Sequence, residues 1–378
     1  MRSVLSFSLL FLLAFASRAQ TNNWLVRFGE KYTIHSKLLN EDRQYWVYSP
    51  PSYKSTRKRY PVLYLLDGES NFDWASEVAQ FFGDTFETPE LMVVGIPNTD
   101  RDRDLTPTHV ADLASSGGGP LFERFLSEEL TPEIDAKFRT KPYRILLGHS
   151  LGGIIAVESF LRQTNAFQAY IAIDPSLWWD NRILVQRAKE FSPRTNSHDA
   201  LFIAEANTDG PVTNSNKYSS DMFLAALKTN AASNIRVGWQ YFDHEDHNSS
   251  RLMGLYAGLR FIFEDYKPIN FWYLNTPALL EDHFKKISDR LGFQFLPPEE
   301  SVTKLAELYL NPTNIDKAIE LYKMDVTNYA RSAIAYSRLA DAYKIKGEKE
   351  LAIQNYKKAL ELNPKLSQAK NALRKLEQ

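Results

Sequence analysis

The sequence of 378 residues predicts an α/β fold, a doubly wound and mostly parallel sheet, followed by a small all-α helical domain. Between residues 20 and 270, short apolar runs alternate with segments of helical periodicity, which is typical of a sheet with helices on both faces. The apolar runs are nearly continuous, so we expect their strands to be buried on both sides. After Pro277 the strand signals stop and the period becomes helical. Two domains are also expected from the length alone.

The predicted strands give the first domain its order. They are residues 44–49, 61–66, 91–96, 143–147, 169–173, 200–204 and 235–242. In such a sheet the chemistry gathers at the carboxyl ends of the strands. The domain boundaries that follow are residues 1–19 for a signal peptide, 20–275 for the α/β domain, 276–297 for a linker and 298–378 for the helical domain.

Composition and charge exclude several classes of function. Lys and Arg number 45 against 46 Asp and Glu, so the net charge of −1 offers no basic surplus for nucleic acid or an anionic membrane. There is no cysteine, which excludes disulfides, a thiol nucleophile and zinc–thiolate sites. We expect no cofactor and no metal.

The first residues resemble a secretory signal. Arg2 is followed by an apolar run over residues 4–16 and by the small-x-small cleavage pattern Ser17-Arg18-Ala19. The run is shorter than the roughly 20 residues that span a bilayer, so a cleaved signal is favoured over a membrane anchor. The sequence therefore predicts an exported protein, periplasmic or secreted, without stable membrane insertion.

A candidate nucleophile lies at Ser150, at the centre of Gly148-His149-Ser150-Leu151-Gly152. An apolar strand precedes this Gly-x-Ser-x-Gly motif, and an apolar helix pattern follows it. The glycines allow strand and helix to approach closely around the serine. We expect the oxyanion that forms on attack to be stabilised by backbone N–H groups, one from Leu151 and one from Gly68 or Glu69 after the strand 61–66. This pattern indicates acyl transfer through a serine.

A serine nucleophile needs a base, and histidine titrates in the useful range. In α/β-hydrolases the histidine follows the last strand. Here that strand is followed by His244 and His247, which compete for the role. Their spacing does not match a His-Glu-x-x-His metal site.

The chain from about residue 43 to residue 263 resembles the esterase D-like branch of α/β-hydrolases. The matching stretches, in order, are residues 60–68, 94–98, 101–107, 143–153, 175–180, and 247–249 with 258–260. The branch includes siderophore esterases, feruloyl esterases and mycolyltransferases, so the resemblance implies an α/β-hydrolase fold and a small-molecule ester substrate. It also implies that His247 rather than His244 is the base.

The third residue of a catalytic triad, the acid that orients the histidine, is less clearly indicated by the sequence. The resembling family often carries Gly-x-x-Asp after the strand 200–204, and Ala206-Asn207-Thr208-Asp209 stands in its place. This points to Asp209, with Glu205 and Asp221 as rivals, and some family members work with serine and histidine alone. Asp174 replaces the serine that the family usually has before Pro175, which alters the pocket wall.

Loops at the strand ends supply the candidate substrate contacts. Arg101 and Arg103 are candidates for holding an anionic or catecholate group, although the run 100–104 also fits a self-paired surface loop. Four aromatic residues are predicted to form a rim around the substrate site: Phe72, Trp74, Trp178 and Trp179. Trp178 is the preferred substrate contact. Trp178 and Trp179 also fit positions in the core.

The helical domain resembles a tetratricopeptide module. One full repeat covers residues 333–364, and its small and aromatic residues fall at the expected spacing: Tyr336, Leu339, Ala340, Tyr343, Gly347, Ala352, Tyr356, Ala359 and Pro364. A degenerate repeat precedes it, and residues from 367 onward fit a capping helix. Such modules bind protein partners or mediate self-association, and packing on the catalytic domain is an equal alternative.

Three functions fit the residues. The first is a carboxylic-ester hydrolase that acts through an acyl-enzyme on Ser150, with His247 as base, on siderophore, feruloyl or acetyl esters. The second is an acyltransferase that passes the same acyl group to an alcohol. The third is an inactive hydrolase fold that serves as a binding scaffold with its helical repeats.

Overall fold

The computed structural model describes residues 29–208, 216–230, 235–267 and 273–378. The predicted signal peptide and Asp209 lie outside these ranges. Within them, no helix has the length and apolar character needed to cross a membrane.

An eight-stranded sheet forms the centre of the first domain. Its strands are β1 (Glu30–Ser36), β2 (Glu41–Tyr48), β3 (Tyr60–Leu66), β4 (Met92–Ile96), β5 (Thr140–His149), β6 (Ala169–Ile173), β7 (Ala200–Ala206) and β8 (Arg236–Phe242). They lie in the order β1-β2-β4-β3-β5-β6-β7-β8. The pairs β1–β2 and β2–β4 are antiparallel and all others are parallel. The predicted α/β fold with a mostly parallel sheet is confirmed.

The apolar runs of the sequence form the centre of the sheet. Strands β3, β4, β6 and β7 are buried along their whole length. Strand β1 is not predicted from the sequence because it contains no apolar run, and its residues before Ser36 are exposed or partly buried. Such polar patterning is typical of an edge strand, which gains its place by pairing rather than by burial.

Helices cover both faces of this sheet. They are α1 (Gly68–Asp84), α2 (Arg101–Asp104), α3 (Gly119–Arg124), α4 (Thr131–Lys137), α5 (Leu151–Arg162), α6 (Trp179–Glu190), α7 (Asn216–Asn230) and α8 (Ser250–Ile262). Apolar residues of α1 and α8 share one hydrophobic cluster, and those of α5, α6 and α7 share the other. The two clusters lie on opposite faces of the strands, so the core has the two layers that a doubly wound sheet requires.

The helical domain continues the chain with six helices. They are α9 (Pro277–Leu291), α10 (Glu299–Glu307), α11 (Ile315–Asn328), α12 (Ala333–Lys346), α13 (Lys349–Leu362) and α14 (Ser367–Glu377). The predicted full repeat is the α12–α13 hairpin, where Ala340, Ala352 and Ala359 are fully buried. Gly347 ends α12 in the left-handed region, with a φ of 85°. The hairpin α10–α11 is in the position of the degenerate repeat.

Residues 276–297, the expected linker, contain helix α9. Its apolar face is buried, with Leu280, Phe284 and Leu291 in the core. The ring of Phe284 meets that of Tyr266 at 5.4 Å, and Phe295 meets Tyr143 of β5 at 5.5 Å. Helix α9 therefore joins the two domains into a shared core.

The segment 276–297 contacts the sheet, through Phe295, far from the candidate nucleophile. Tyr143, which packs on Phe295, lies near the amino end of β5, whereas Ser150 follows its carboxyl end. The rise of a strand puts these two residues about 23 Å apart. This contact therefore lies at the end of β5 opposite to Ser150.

Candidate active site

Ser150 occupies a tight turn between β5 and α5. Its backbone has φ 59° and ψ −117°, a conformation that a residue with a side chain adopts at a cost of about 1–3 kcal/mol. The turn closes so tightly that a Cβ on Gly148 would lie 2.0 Å from the backbone oxygen of Gly152. A Cβ on Gly153 would lie 2.9 Å from the Cβ of Pro175. The glycines thus make the turn possible, as the sequence pattern predicts.

Two imidazole rings lie beside this turn. The ring centroids of His149 and His247 are 4.4 Å apart. The Nε2 of His149 donates to the backbone oxygen of His247 at 2.7 Å, which fixes the loop after β8 against the turn. The hydroxyl of Ser150 lies 3.3 Å from that of Ser176. Among the described hydrogen bonds, none joins Ser150 to the His247 ring, and such bonds are often long in unliganded sites.

His247 has a carboxylate partner. Its Nδ1 lies 2.5 Å from the Oδ2 of Asp174, the residue that follows β6. The side chain of Asp174 is fully buried, whereas that of His247 is 37% exposed. The backbone N–H of Ala206 donates to the other carboxylate oxygen of Asp174 at 3.2 Å. The acid is therefore held from two sides, and the imidazole is left with its Nε2 for chemistry.

His149 has a different electrostatic setting from His247. Burial lowers the pKa of His149 to about 4, and the nearby charge of His247 acts in the same direction. The ring is therefore neutral at physiological pH. Since the backbone oxygen of His247 is an acceptor, the proton of His149 lies on Nε2. His149 thus holds the backbone of His247, and its lowered pKa makes it a weak base.

Of the other acids named from the sequence, the structure describes Asp221 and Glu205, and no described hydrogen bond joins either of them to His247. Asp209 is outside the described residues. Asp221 is half exposed and pairs with Lys217 of the same helix at 2.7 Å. Glu205 is buried and accepts a hydrogen bond from Ser220. His244, the competing histidine, is 93% exposed in its side chain.

The expected oxyanion donors both lie at helix starts. Leu151 is the first residue of α5, and Gly68 is the first residue of α1. The two turns touch, since a Cβ on Gly152 would meet the carboxylate of Asp67 at 3.3 Å. Backbone N–H groups at a helix start lack partners inside the helix and favour negative charge.

A sequence model of the Putative esterase family matches residues 36–241. This range covers more than half of the chain and includes both sides of the serine turn. The chain belongs to the Putative esterase family. A tetratricopeptide repeat model matches residues 333–366. Both resemblances drawn from the sequence are thereby confirmed.

Curated relatives of this esterase family member include two siderophore esterases. The chain is 32% identical over 182 residues to the ferri-bacillibactin esterase BesA of Bacillus subtilis, an alignment over 42% of this chain and 63% of BesA. It is 29% identical over 190 residues to the siderophore triacetylfusarinine C esterase of Aspergillus fumigatus, over 45% of this chain and 60% of that protein. The chain thus spans less than two thirds of the length of either relative.

Two solved structures extend the comparison. The IroE-like serine hydrolase of Shewanella oneidensis is 29% identical, with a TM-score of 0.70 over 79% of this chain and 99% of that chain. An uncharacterised protein of Capnocytophaga ochracea is 20% identical, with a TM-score of 0.63 over 92% of this chain and 99% of that chain. The second match leaves less than a tenth of this chain unaligned, so it includes most of the helical domain. The α/β domain followed by a helical domain is therefore a fold that another protein shares.

The two arginines of the charged run 100–104 differ in their partners and exposure. Arg103 pairs with Glu41 and with Asp104, so its charge is used within the protein. Arg101 donates from Nε to Asp67 at 2.7 Å and is 36% exposed in its side chain. Since Asp67 precedes Gly68, Arg101 lies near the expected oxyanion donors and retains an exposed face.

The four predicted rim aromatics also separate. Phe72 is 4% exposed and meets Trp46 edge to face. Trp179 is 6% exposed and donates to Thr108 at 3.1 Å. Trp74 packs partly buried against the core. Trp178 is 46% exposed and follows β6 in the same turn as Ser176, so it is the aromatic that remains open to a ligand.

Asp174 is the functional candidate that sequence reasoning did not place in the triad. Its signal was present, since an aspartate directly follows the strand 169–173 and replaces the usual serine of the family. The family pattern, however, predicts the acid one strand later, in the loop after β7. Register between β6 and β7 could not be read from the sequence, and it decides which acid faces His247.

Proposed function

We propose that this protein is a serine esterase that hydrolyses carboxylic esters through an acyl-enzyme on Ser150. His247 is the general base, and Asp174 is the acid that orients it. The observation that carries the proposal is the hydrogen bond between the His247 Nδ1 and the Asp174 Oδ2 at 2.5 Å, beside the strained serine turn. Membership of the Putative esterase family and the likeness to a serine hydrolase at 29% identity support it.

The reaction follows from the positions of these groups. The Oγ of Ser150 attacks the ester carbonyl while the Nε2 of His247 takes its proton. Asp174 keeps the Nδ1 proton in place and stabilises the imidazolium. The N–H groups of Leu151 and Gly68 receive the negative charge on the carbonyl oxygen. His247 then protonates the leaving alcohol, and water attacks the acyl-enzyme by the reverse steps.

The substrate we propose is a small-molecule ester of the siderophore type. Two relatives are named as esterases of such molecules. Arg101 is a partly exposed cation and Trp178 a partly exposed aromatic side chain near the turn, and we assign both to ligand contact. A panel that also contains feruloyl and acetyl esters tests this assignment. Export through residues 1–19 fits an ester met outside the cytoplasm, and sequencing the mature amino terminus tests it.

Reaction with a fluorophosphonate probe tests the esterase proposal. The probe phosphonylates a serine only when a base activates it. We expect the wild type to be labelled and to hydrolyse a p-nitrophenyl ester, and Ser150→Ala to do neither. Ser176→Ala, which removes the neighbouring hydroxyl, is the control and should still be labelled. A wild type that does not react, or labelling that persists in Ser150→Ala, would refute the proposal.

A further inference from the structure

Glu205 lies next to the proposed triad acid, on the neighbouring strand. The last paired residues of β6 are Ile173 with Ala204 of β7. Asp174 and Glu205 are the next residues on each strand, and the N–H of Asp174 donates to the Ala204 oxygen at 2.6 Å. Both side chains are fully buried. The parallel register therefore puts two carboxyl groups side by side inside the protein.

The hydrogen bonds around the two groups are unequal. Asp174 accepts from the His247 ring and from the Ala206 N–H, one at each oxygen. Glu205 accepts from the hydroxyl of Ser220 at Oε1, and its buried Oε2 has no hydrogen-bond partner among the residues that the structure describes. A carboxylate is stabilised by donors, so the negative charge belongs on Asp174. Two adjacent buried carboxyls cannot both be ionised without a large cost.

The groups that face Glu205 do not reverse this balance. Tyr241 of β8 is the strand partner of Glu205 on β7. Asp221 on α7 adds a negative charge near Glu205. Lys217 of α7 lies over the Tyr241 ring, and its charge is paired with Asp221 at 2.7 Å. Burial raises the pKa of Glu205 well above its usual range; the hydrogen bond from Ser220 acts against this shift, and the charge of Asp174 adds to it.

We propose, on the basis of the proposed function, that Glu205 is protonated and donates a hydrogen bond from Oε2 to the carboxylate of Asp174. The pair then carries one negative charge rather than two. Glu205 is a positioning residue, because it acts on His247 through Asp174 and touches no substrate. An ionised Glu205 would add a second charge behind His247 and would favour the imidazolium before substrate arrives.

Two variants separate this arrangement from a merely structural role. Glu205→Gln keeps a neutral side chain whose amide can donate to Asp174 and accept from Ser220, so kcat should stay within about threefold of wild type. Glu205→Leu has no donor, and kcat should fall about ten- to hundredfold with little change in KM, because a hydrogen bond to a charged group is lost. A Gln variant as impaired as the Leu variant, or a Leu variant with wild-type kcat, would overturn the proposal.

Infrared spectroscopy observes the proton itself. A protonated carboxyl has a carbonyl band separate from those of a carboxylate, and the difference between wild type and Glu205→Gln at pH 7 isolates Glu205 from other buried acids. We expect the acid band in wild type and its loss in the variant. A carboxylate signal in its place would show that Glu205 is ionised and the proposal wrong. This readout does not depend on activity, so it remains decisive even where Ser150→Ala shows that the esterase proposal fails.

Discussion

The Oδ2 of Asp174 lies 2.5 Å from the Nδ1 of His247, across 73 residues of sequence. The aspartate follows β6, and the histidine follows β8, with β7 between the two strands. The acid reaches over this strand because Asp174 adopts a left-handed backbone, with a φ of 40°, and the N–H of Ala206 on β7 holds its second oxygen. In the proposed function, this relationship takes the acid from the end of β6.

Asp174→Asn should lower kcat by about a thousandfold or more while leaving the fold intact. The amide keeps the shape of the carboxylate but offers no negative charge to the imidazolium and disfavours the required tautomer. Initial rates on a p-nitrophenyl ester measure the effect. Asp209→Asn is the matched control and should retain activity within a few-fold of wild type. The reverse result would return the role of the acid to Asp209.

Gly148→Ala should abolish esterase activity and destabilise the protein by about 3 kcal/mol, because the new Cβ would lie 2.0 Å from the Gly152 backbone oxygen. The control is Gly83→Ala in helix α1. The new Cβ there would lie 3.3 Å from the nearest atom of Glu90. Urea unfolding compares the two. Equal stability of both variants would contradict the tight turn around Ser150.

Much of the fold was predictable because burial leaves a pattern in the sequence. Strand β6, buried along its length, was predicted with its observed bounds, and β4 to within one residue. Strand β1 was missed because an edge strand does not need an apolar run. The sequence predicts a linker over residues 276–297, whereas the structure has helix α9 there, with its apolar face packed on the catalytic domain.

The candidate site was predictable where backbone chemistry requires particular residues. The turn at Ser150 needs glycines, and the sequence shows them. The Asp174–His247 pair depends on strand register and on a left-handed backbone at a non-glycine residue, and neither leaves a local signal. Which acid faces the histidine therefore required the fold.

His149 should make stability fall as the pH drops from about 6.5 to 4. Burial lowers its folded pKa to about 4 from 6.5, so the unfolded chain binds the proton first. The contribution of the neutral His149 to the free energy of unfolding is complete above pH 6.5 and is lost towards pH 4. It amounts to about 3 kcal/mol. Urea unfolding across this range should show a smaller loss in His149→Gln, which keeps a donor for the His247 oxygen. His244→Gln, at a 93% exposed side chain, should behave as wild type; parallel curves for all three proteins would contradict the prediction.

Asp325→Asn should stabilise the protein at neutral pH. Asp325 of α11 is fully buried, and within the described part of the chain neither carboxylate oxygen has a partner at hydrogen-bond geometry. Burial, with the charge of Glu299 as the second cause, raises its pKa to about 8 from 3.8. A raised acid pKa means that the folded state holds a proton that the unfolded chain releases, so wild-type stability falls as the pH rises from about 4 to 8.

The amide is neutral at every pH and escapes this cost. At pH 7 we expect Asp325→Asn to raise the free energy of unfolding by at most about 4 kcal/mol, and at pH 5 by less than half of that. The control Asp316→Asn is on the same helix, where a 77% exposed carboxylate pairs with Lys346 at 3.0 Å, and it should change stability by about 0.5 kcal/mol or less. Melting curves at both pH values measure the difference. A gain that does not grow between pH 5 and pH 7 would mean that Asp325 is ionised in the folded protein, against the burial that its position in α11 imposes.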